Sequence, residues 1–400
     1  MESVVFERFL EMSRRIREGE VPRSYPVEGE YLCQPGVRGV FYESLPWHGH
    51  ATRVFGWLGL PEGASASSPA PGVVLVHGGG ATASADWVRL WVSRGYAALA
   101  LDTCGGIPAW SEKPYYRECW PRHGHSGPAG WGRMEDSGLP PEEQWAFHGV
   151  AAVLAGRRLL ASLPEVSSQG MGITGISWGG FLTCLAASWD PSFAYAIPVY
   201  GCGGFCRGDS NLVWDGGTAE ECRRWFTLWD PDLYLSQAEM PFLWLTDAED
   251  EPFPLPAWSH SSSLPKGESR MSLRTNYPHD HTQCWKSRTI FDFAQSVREG
   301  KPLPSLGDPV PSPDRGGLSC EVHLAGRTAQ EAYLFTTRAA GHWADRVWRP
   351  QHARLQEGRL LGSLPPGTQA AFFQIRDERG SLWSGRPFLL PETGPSIPLP

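Results

Sequence analysis

Met171-Gly-Ile-Thr-Gly175-Ile-Ser177-Trp-Gly-Gly180-Phe-Leu-Thr-Cys-Leu-Ala-Ala187 is the stretch on which the fold turns. Met171–Thr174 is short and largely β-favouring, and Phe181–Ala187 reads as the buried face of a helix that opens at Gly179-Gly180. Between them lies G-x-S-x-G, whose small residues suit a sharp turn that strains the serine backbone and packs the helix close to its strand. With 46 glycines in 400 residues so short a pattern arises easily by chance. The strand-turn-helix setting therefore carries the reading, against that of an ordinary serine in a glycine-rich turn.

A serine nucleophile needs a general base, and the base needs a carboxylate to orient it. Both appear downstream in the order Ser, acid, His. Pro241-Phe-Leu-Trp-Leu-Thr246 is an apolar strand-like run ending in Asp247-Ala-Glu249-Asp250-Glu251, and Met271–Thr275 is a second run followed by Asn276-Tyr-Pro-His279-Asp-His281. Taken singly, the acids read as a solvated turn and the histidines as surface residues; the ordered combination favours catalysis. Upstream, Gly72-Val-Val-Leu-Val-His77-Gly78-Gly79-Gly80-Ala81 is a continuous apolar run of the buried parallel-strand kind, ending in a glycine loop. Acyl transfer places negative charge on the former carbonyl oxygen, and backbone N–H groups reach it most closely where side chains are absent. Gly79 and Gly80, with the amide of Trp178, are the candidate oxyanion donors. The alternative, a phosphate loop, lacks G-x-G-x-x-G and G-x-x-x-x-G-K-[ST].

These residues, together with Trp87, Trp91 and Arg94-Gly-Tyr-Ala-Ala-Leu-Ala-Leu-Asp102, resemble the bacterial dienelactone-hydrolase-like and acetylxylan-esterase-like branch of the α/β-hydrolases, from about Phe55 to Phe293. Thr336–Arg338, Trp343–Trp348 and Leu364–Ala370 are similar to a small C-terminal β-domain that some of those proteins carry. The resemblance implies Ser177 as nucleophile, Asp250 as acid and His279 as base, with hydrolysis of acetyl esters of carbohydrate. Relatives often have glycine where Asp247 stands, so Asp247 and Glu249 compete with Asp250. Serine in place of the cysteine of true dienelactone hydrolases argues for ester cleavage. Two other functions remain open at this level: an oligopeptidase of the same fold, and a catalytically inactive carbohydrate-binding protein using Trp343 and Trp348.

Composition is that of a globular protein, 41% apolar and 20% charged. The net charge of −8 supplies no basic surface for nucleic acid or anionic lipid. Without a long apolar run or a basic-then-apolar leader, a cytoplasmic location is expected, with export conceivable only through a trimmed signal. Nine cysteines, with no C-x-x-C, suit reduced thiols. Cys202 and Cys206 read as packing residues rather than metal ligands, and neither metal nor cofactor is expected. His123 and His125 have the bare spacing of a metal pair without further ligands.

The organisation predicted is a charged N-terminal helix and irregular covering arm (1–50), a mostly parallel doubly wound α/β-hydrolase domain (51–300), a linker (301–313) with five prolines, and a C-terminal β-sandwich (314–400). A loop-like insertion at 104–145 carries Trp110, Trp120 and Trp131, in the position of a roof over Ser177. Aromatic faces stack on sugars, which makes these three candidate substrate contacts for a small-molecule or oligosaccharide ester; the competing reading is the core of a bulky cap.

Overall fold

The computed structural model describes residues 2–27, 33–107, 121–130, 134–205, 218–312 and 316–390. Helix α1 (Glu2–Glu18) places Phe6, Phe9 and Met12 on one face, and the Phe9 ring lies 4.6 Å from Trp189 and 4.9 Å from Trp229. Short strands β1 (Ser24–Pro26) and β2 (Cys33–Gln34) flank β3 (Val37–Trp47), which pairs antiparallel with β4 (His50–Gly59). The expectation of an irregular arm up to residue 50 is thus corrected to a long hairpin. Its two-residue loop, His48-Gly49, has φ of 49° and 76°. That left-handed pair matches the twist of a hairpin without the Asn-Gly signature that would reveal it in sequence.

The central layer follows as β5 (Ala70–Val76), α2 (Ala85–Val92), β6 (Ala97–Leu101), α3 (Trp145–Ala161), β7 (Val166–Ile176), α4 (Trp178–Trp189), β8 (Tyr195–Val199), α5 (Ala219–Trp229), β9 (Phe242–Asp247), α6 (Leu255–Ser261), β10 (Ser269–Arg274) and α7 (Arg288–Glu299). Strands β6-β5-β7-β8-β9-β10 are parallel neighbours in that order, with β4 antiparallel against β6. Parallel strands covered on both faces must be apolar throughout, and β5, β6, β8 and β9 are buried almost end to end. From β5 the chain steps one way to β6, then back across β5 to β7. Right-handed crossovers in opposite directions place α2 and α3 on opposite faces, and the reversal opens a crevice beyond the carboxyl ends of β5 and β7. Ahead of α3, a 3₁₀ turn (Pro141–Glu143) precedes extended Gln144, whose amide oxygen accepts from the Trp229 indole at 2.6 Å.

Strands β11 (Ser305–Leu306), β12 (Val310–Ser312), β13 (Gly317–His323), β14 (Ala329–Thr337), β15 (Arg349–His352), β16 (Arg354–Gln356), β17 (Arg359–Ser363), β18 (Ala370–Asp377), β19 (Leu382–Ser384) and β20 (Phe388–Leu389) form the C-terminal sandwich. The proline-rich segment is not merely a linker: β11 and β12 add to the edge of β13. An edge position tolerates Pro311 because its missing N–H faces no partner. One sheet of the sandwich continues the central one, since Met271 pairs with Ser384 and the Leu273 amide donates to the Ser384 hydroxyl at 2.9 Å.

Deeper in this junction, the buried Arg327 guanidinium donates to Asp292 of α7 and, at 2.7 Å, to Asp377, which also accepts from the Trp383 indole at 2.9 Å. Removing Arg327 takes its guanidinium from two buried carboxylates, of which Asp292 keeps the more exposed Arg379 at 3.2 Å. Arg327→Met is expected to lower stability by about 3 to 5 kcal/mol in denaturant unfolding, far more than removal of an exposed pair such as Arg376–Glu331.

Candidate functional site

Ser177 stands between β7 and α4 with φ 57° and ψ −119°, a conformation that costs a non-glycine residue on the order of 1 to 3 kcal/mol. Its backbone is pinned on both sides: the N–H donates to Val199 O at 2.8 Å, and its carbonyl accepts from the Phe181 amide at 2.9 Å. The side chain does not cap the helix, so the hydroxyl has no structural task there. Close packing makes the turn possible. A Cβ at Gly179 would stand 2.1 Å from Val76 O, and one at Gly175 would stand 2.0 Å from Gly179 O.

The loop after β5 lies against this turn. The His77 Nδ1 lies 2.7 Å from Gly78 O, and Nε2 accepts from the Thr103 amide at 2.9 Å, which fixes the proton on Nδ1. Thr82 donates to Asp102 at 2.6 Å, bracing the far side of the loop against the end of β6. Gly79 and Gly80 occupy the turn itself, Gly80 at φ 69°. Trp178 is the first residue of α4, where amides lack an intrahelical acceptor. Its ring is buried edge-on to Trp145, Phe181 and Trp225.

Of the carboxylates beyond β9, Asp250 meets the histidine. His279 Nδ1 is 2.6 Å from Asp250 Oδ2, and Asp250 Oδ1 accepts from the Phe253 amide at 2.7 Å. Asp247 is spent otherwise: it accepts from the amides of Glu249 at 2.8 Å and of Tyr277, tying the acid loop to the histidine loop. Burial pushes its carboxyl up to about 7 against those two hydrogen bonds. Glu249 is half-buried and makes no bond to a histidine among the described residues.

The two histidines part company. His279 is clamped between rings, stacked on Tyr200 at 4.4 Å and parallel to Phe253 at 6.3 Å. His281 turns toward the glycine loop, its Nε2 only 2.1 Å from where a Gly78 Cβ would be and without a hydrogen-bond partner. Burial, then the charges of His279 and His77, pull it down to about 4. Asp280 between them is a turn builder, accepting from the Thr282 and Gln283 amides at 2.7 Å each.

Tyr200 is the residue that sequence reasoning missed. At φ 63° it follows directly on β8, and its buried hydroxyl donates to Pro278 O at 2.8 Å, holding the loop on which His279 rides. A tyrosine closing a strand carries no sequence signal of such a role. Trp110, Trp120, Trp131 and Cys206 lie outside the described residues. Cys202 is buried, as expected of a packing residue, and His123 packs against Phe41 with its ring pulled down to about 4 by burial. No cluster of metal-ligating side chains occurs among the described residues. Trp343 and Trp348 are buried too, under Arg346 and against Phe372, so they offer no binding face.

The sheet order, the strained serine turn and the loops after β5, β9 and β10 define an α/β-hydrolase fold. No protein-family model and no curated protein matches the sequence. Among solved structures, the acetyl xylan esterase from Paenibacillus sp. R4 is similar, with a TM-score of 0.58 and 18% identity over 73% of this chain and 94% of that one. Acetyl Xylan Esterase 1 from Thermoanaerobacterium sp. JW/SL YS485 is similar at a TM-score of 0.53 and 14% identity, over 73% and 92%. At these identities the likeness is one of fold. No helix among the described residues is long and apolar enough to cross a membrane.

Strain at Ser177 separates function from stability. Ser177→Gly should raise unfolding stability by ~1 kcal/mol, the relieved strain exceeding the added chain entropy, whereas Ser177→Ala should leave it nearly unchanged. Equal effects of the two in urea titrations would show the turn to be unstrained. A pH dependence follows from His148 and His281, both held at about 4 by burial. Below about 6.5 the unfolded chain takes up protons that the folded chain refuses, so stability falls as pH drops toward 4. The double variant His148→Gln/His281→Gln should flatten that slope, by on the order of 2 kcal/mol per site.

Proposed function

We propose that this chain is a serine hydrolase that cleaves carboxylic esters, with acetyl esters of carbohydrate as its substrate class. The observation that carries the reading is the pairing of a strained Ser177 at the sheet's switch point with a His279–Asp250 hydrogen bond of 2.6 Å on the loops that follow β9 and β10. Ser177 Oγ attacks the ester carbonyl while His279 Nε2 takes its proton. Asp250 accepts from Nδ1–H, which keeps the lone pair on Nε2 and stabilises the imidazolium. The Trp178 amide and those of Gly79 and Gly80 receive the oxyanion. Collapse transfers the proton to the departing alcohol and leaves an acyl-serine, which water hydrolyses by the same steps. No metal or cofactor takes part in these steps.

The acetyl preference rests on the fold neighbours named above, and its direct test is an acyl-chain series. Fluorophosphonate should label wild type but not Ser177→Ala, and turnover should fall from acetate to octanoate p-nitrophenyl esters. Peptide p-nitroanilides turned over faster than acetate esters would instead make the chain an oligopeptidase. Absence of labelling and turnover, with retention in a polysaccharide affinity gel, would make it an inactive binding protein.

The triad predicts an order of losses. Ser177→Ala and His279→Ala should lower kcat by about 10⁴ to 10⁶, and Asp250→Asn by about 10³ to 10⁴. Glu249→Gln should cost less than about tenfold, as should Asp247→Asn, which keeps one acceptor oxygen. His281 stays neutral down to about 4, so His281→Gln should retain both activity and the acidic limb of kcat/KM. Loss of that limb in His281→Gln would transfer the base by two residues.

A further inference from the structure

Away from the crevice at Ser177, a cavity of 440 Å³ opens along α7. Arg288, Phe291, Asp292, Gln295 and Arg298 recur every three or four residues and so line it with one continuous helix face. Lys286 enters from the turn ahead of α7, Arg94 and Tyr96 from the turn between α2 and β6, and Arg379 from the β18–β19 hairpin of the C-terminal sandwich. Its walls therefore carry five cations and one carboxylate, in a chain whose net charge is −8.

The carboxylate does not balance them. Asp292 is already engaged by Arg327, by Arg379 at 3.2 Å and by the Ser381 hydroxyl at 2.8 Å. Arg298 meets Glu299 at 3.2 Å. Arg94, Lys286 and Arg288 form no ion pair with the described residues. The Arg94 guanidinium instead sits 3.7 Å over the Phe291 ring, one donor on Leu90 O at 2.9 Å. This stacking pre-organises its fork and lowers the entropy of any bond the other donors make. In the same wall Tyr96 is 3% exposed, yet its hydroxyl has no hydrogen-bond partner. Three cations without an ion pair thus converge on one buried phenol that lacks a hydrogen-bond partner, a donor set that an acceptor of several charges would complete.

We propose that this cavity binds a small phosphorylated molecule, its phosphoryl oxygens taken by Arg94, Lys286 and Arg288, with Arg379 closing the site from the sandwich. A monocarboxylate brings one charge to three free cations, whereas a phosphate monoester or diphosphate brings two or more and matches the guanidinium fork bidentately. The volume exceeds that of a bare phosphate and lies in the range of small-ligand sites. The site is separate from Ser177 and stands whether or not the esterase reading holds.

The test uses full-length protein and inorganic pyrophosphate as probe, followed by calorimetry and thermal unfolding at two salt concentrations. Saturable one-to-one binding is expected, with a rise in Tm and an affinity that weakens with salt. Lys286→Gln/Arg288→Gln, exposed positions with circular dichroism as a fold control, should weaken binding at least ~tenfold, and Arg379→Gln on the opposite wall should weaken it severalfold. Tyr96→Phe should leave the protein folded and reduce affinity. Absence of saturable binding would overturn the proposal. So would binding undiminished in the double variant, or an equal Tm response to acetate at matched ionic strength, which would reduce the effect to charge screening.

Discussion

The Ser177 end of this molecule depends on how closely α4 approaches β5. With Gly179 packed against the Val76 carbonyl and Gly175 against Gly179, the chain leaves β7 and enters the helix with no intervening loop. The junction residue must then take a left-handed backbone, and Ser177 does so at φ 57°. A serine held there projects from the sheet edge with its hydroxyl free of capping duty, at the point where the sheet order reverses.

The other parts of the site are held to that point by contacts of different kinds. The glycine loop is braced by His77 on Thr103 and by Thr82 on Asp102. The histidine loop is tied twice: Asp247 receives the Tyr277 amide, and Tyr200 both stacks on His279 and bonds Pro278 O. Asp247 and Asp250 are three residues apart and do unlike work. One is a buried staple between loops whose carboxyl is pushed up to about 7; the other faces the imidazole.

The C-terminal sandwich is joined to the α/β-hydrolase domain by strand pairing and by buried charge. Pairing of β10 with β19 carries the hydrogen-bond ladder across, and Arg327 joins α7 to the β18–β19 turn through buried carboxylates. The same helix lines the cationic cavity, and Asp292 belongs to both.

The sequence by itself determined the alternation of apolar runs with helical patterns, the serine turn, and the order of acid and base behind it. Each is local, since a buried parallel strand is apolar along its length and a helix packed against it needs small residues where it begins. It also marked the C-terminal segment as β-structure, which carries no helical pattern. Tertiary structure alone decided which of Asp247, Glu249 and Asp250 faces His279, because all three share one loop and only the position of the histidine loop distinguishes them. It likewise decided that Tyr200 clamps the imidazole, that Trp343 and Trp348 are core, that residues 37–47 form a strand, and that five basic residues far apart in the chain share one cavity. These outcomes depend on distances between segments remote in sequence, which no pattern along the chain encodes.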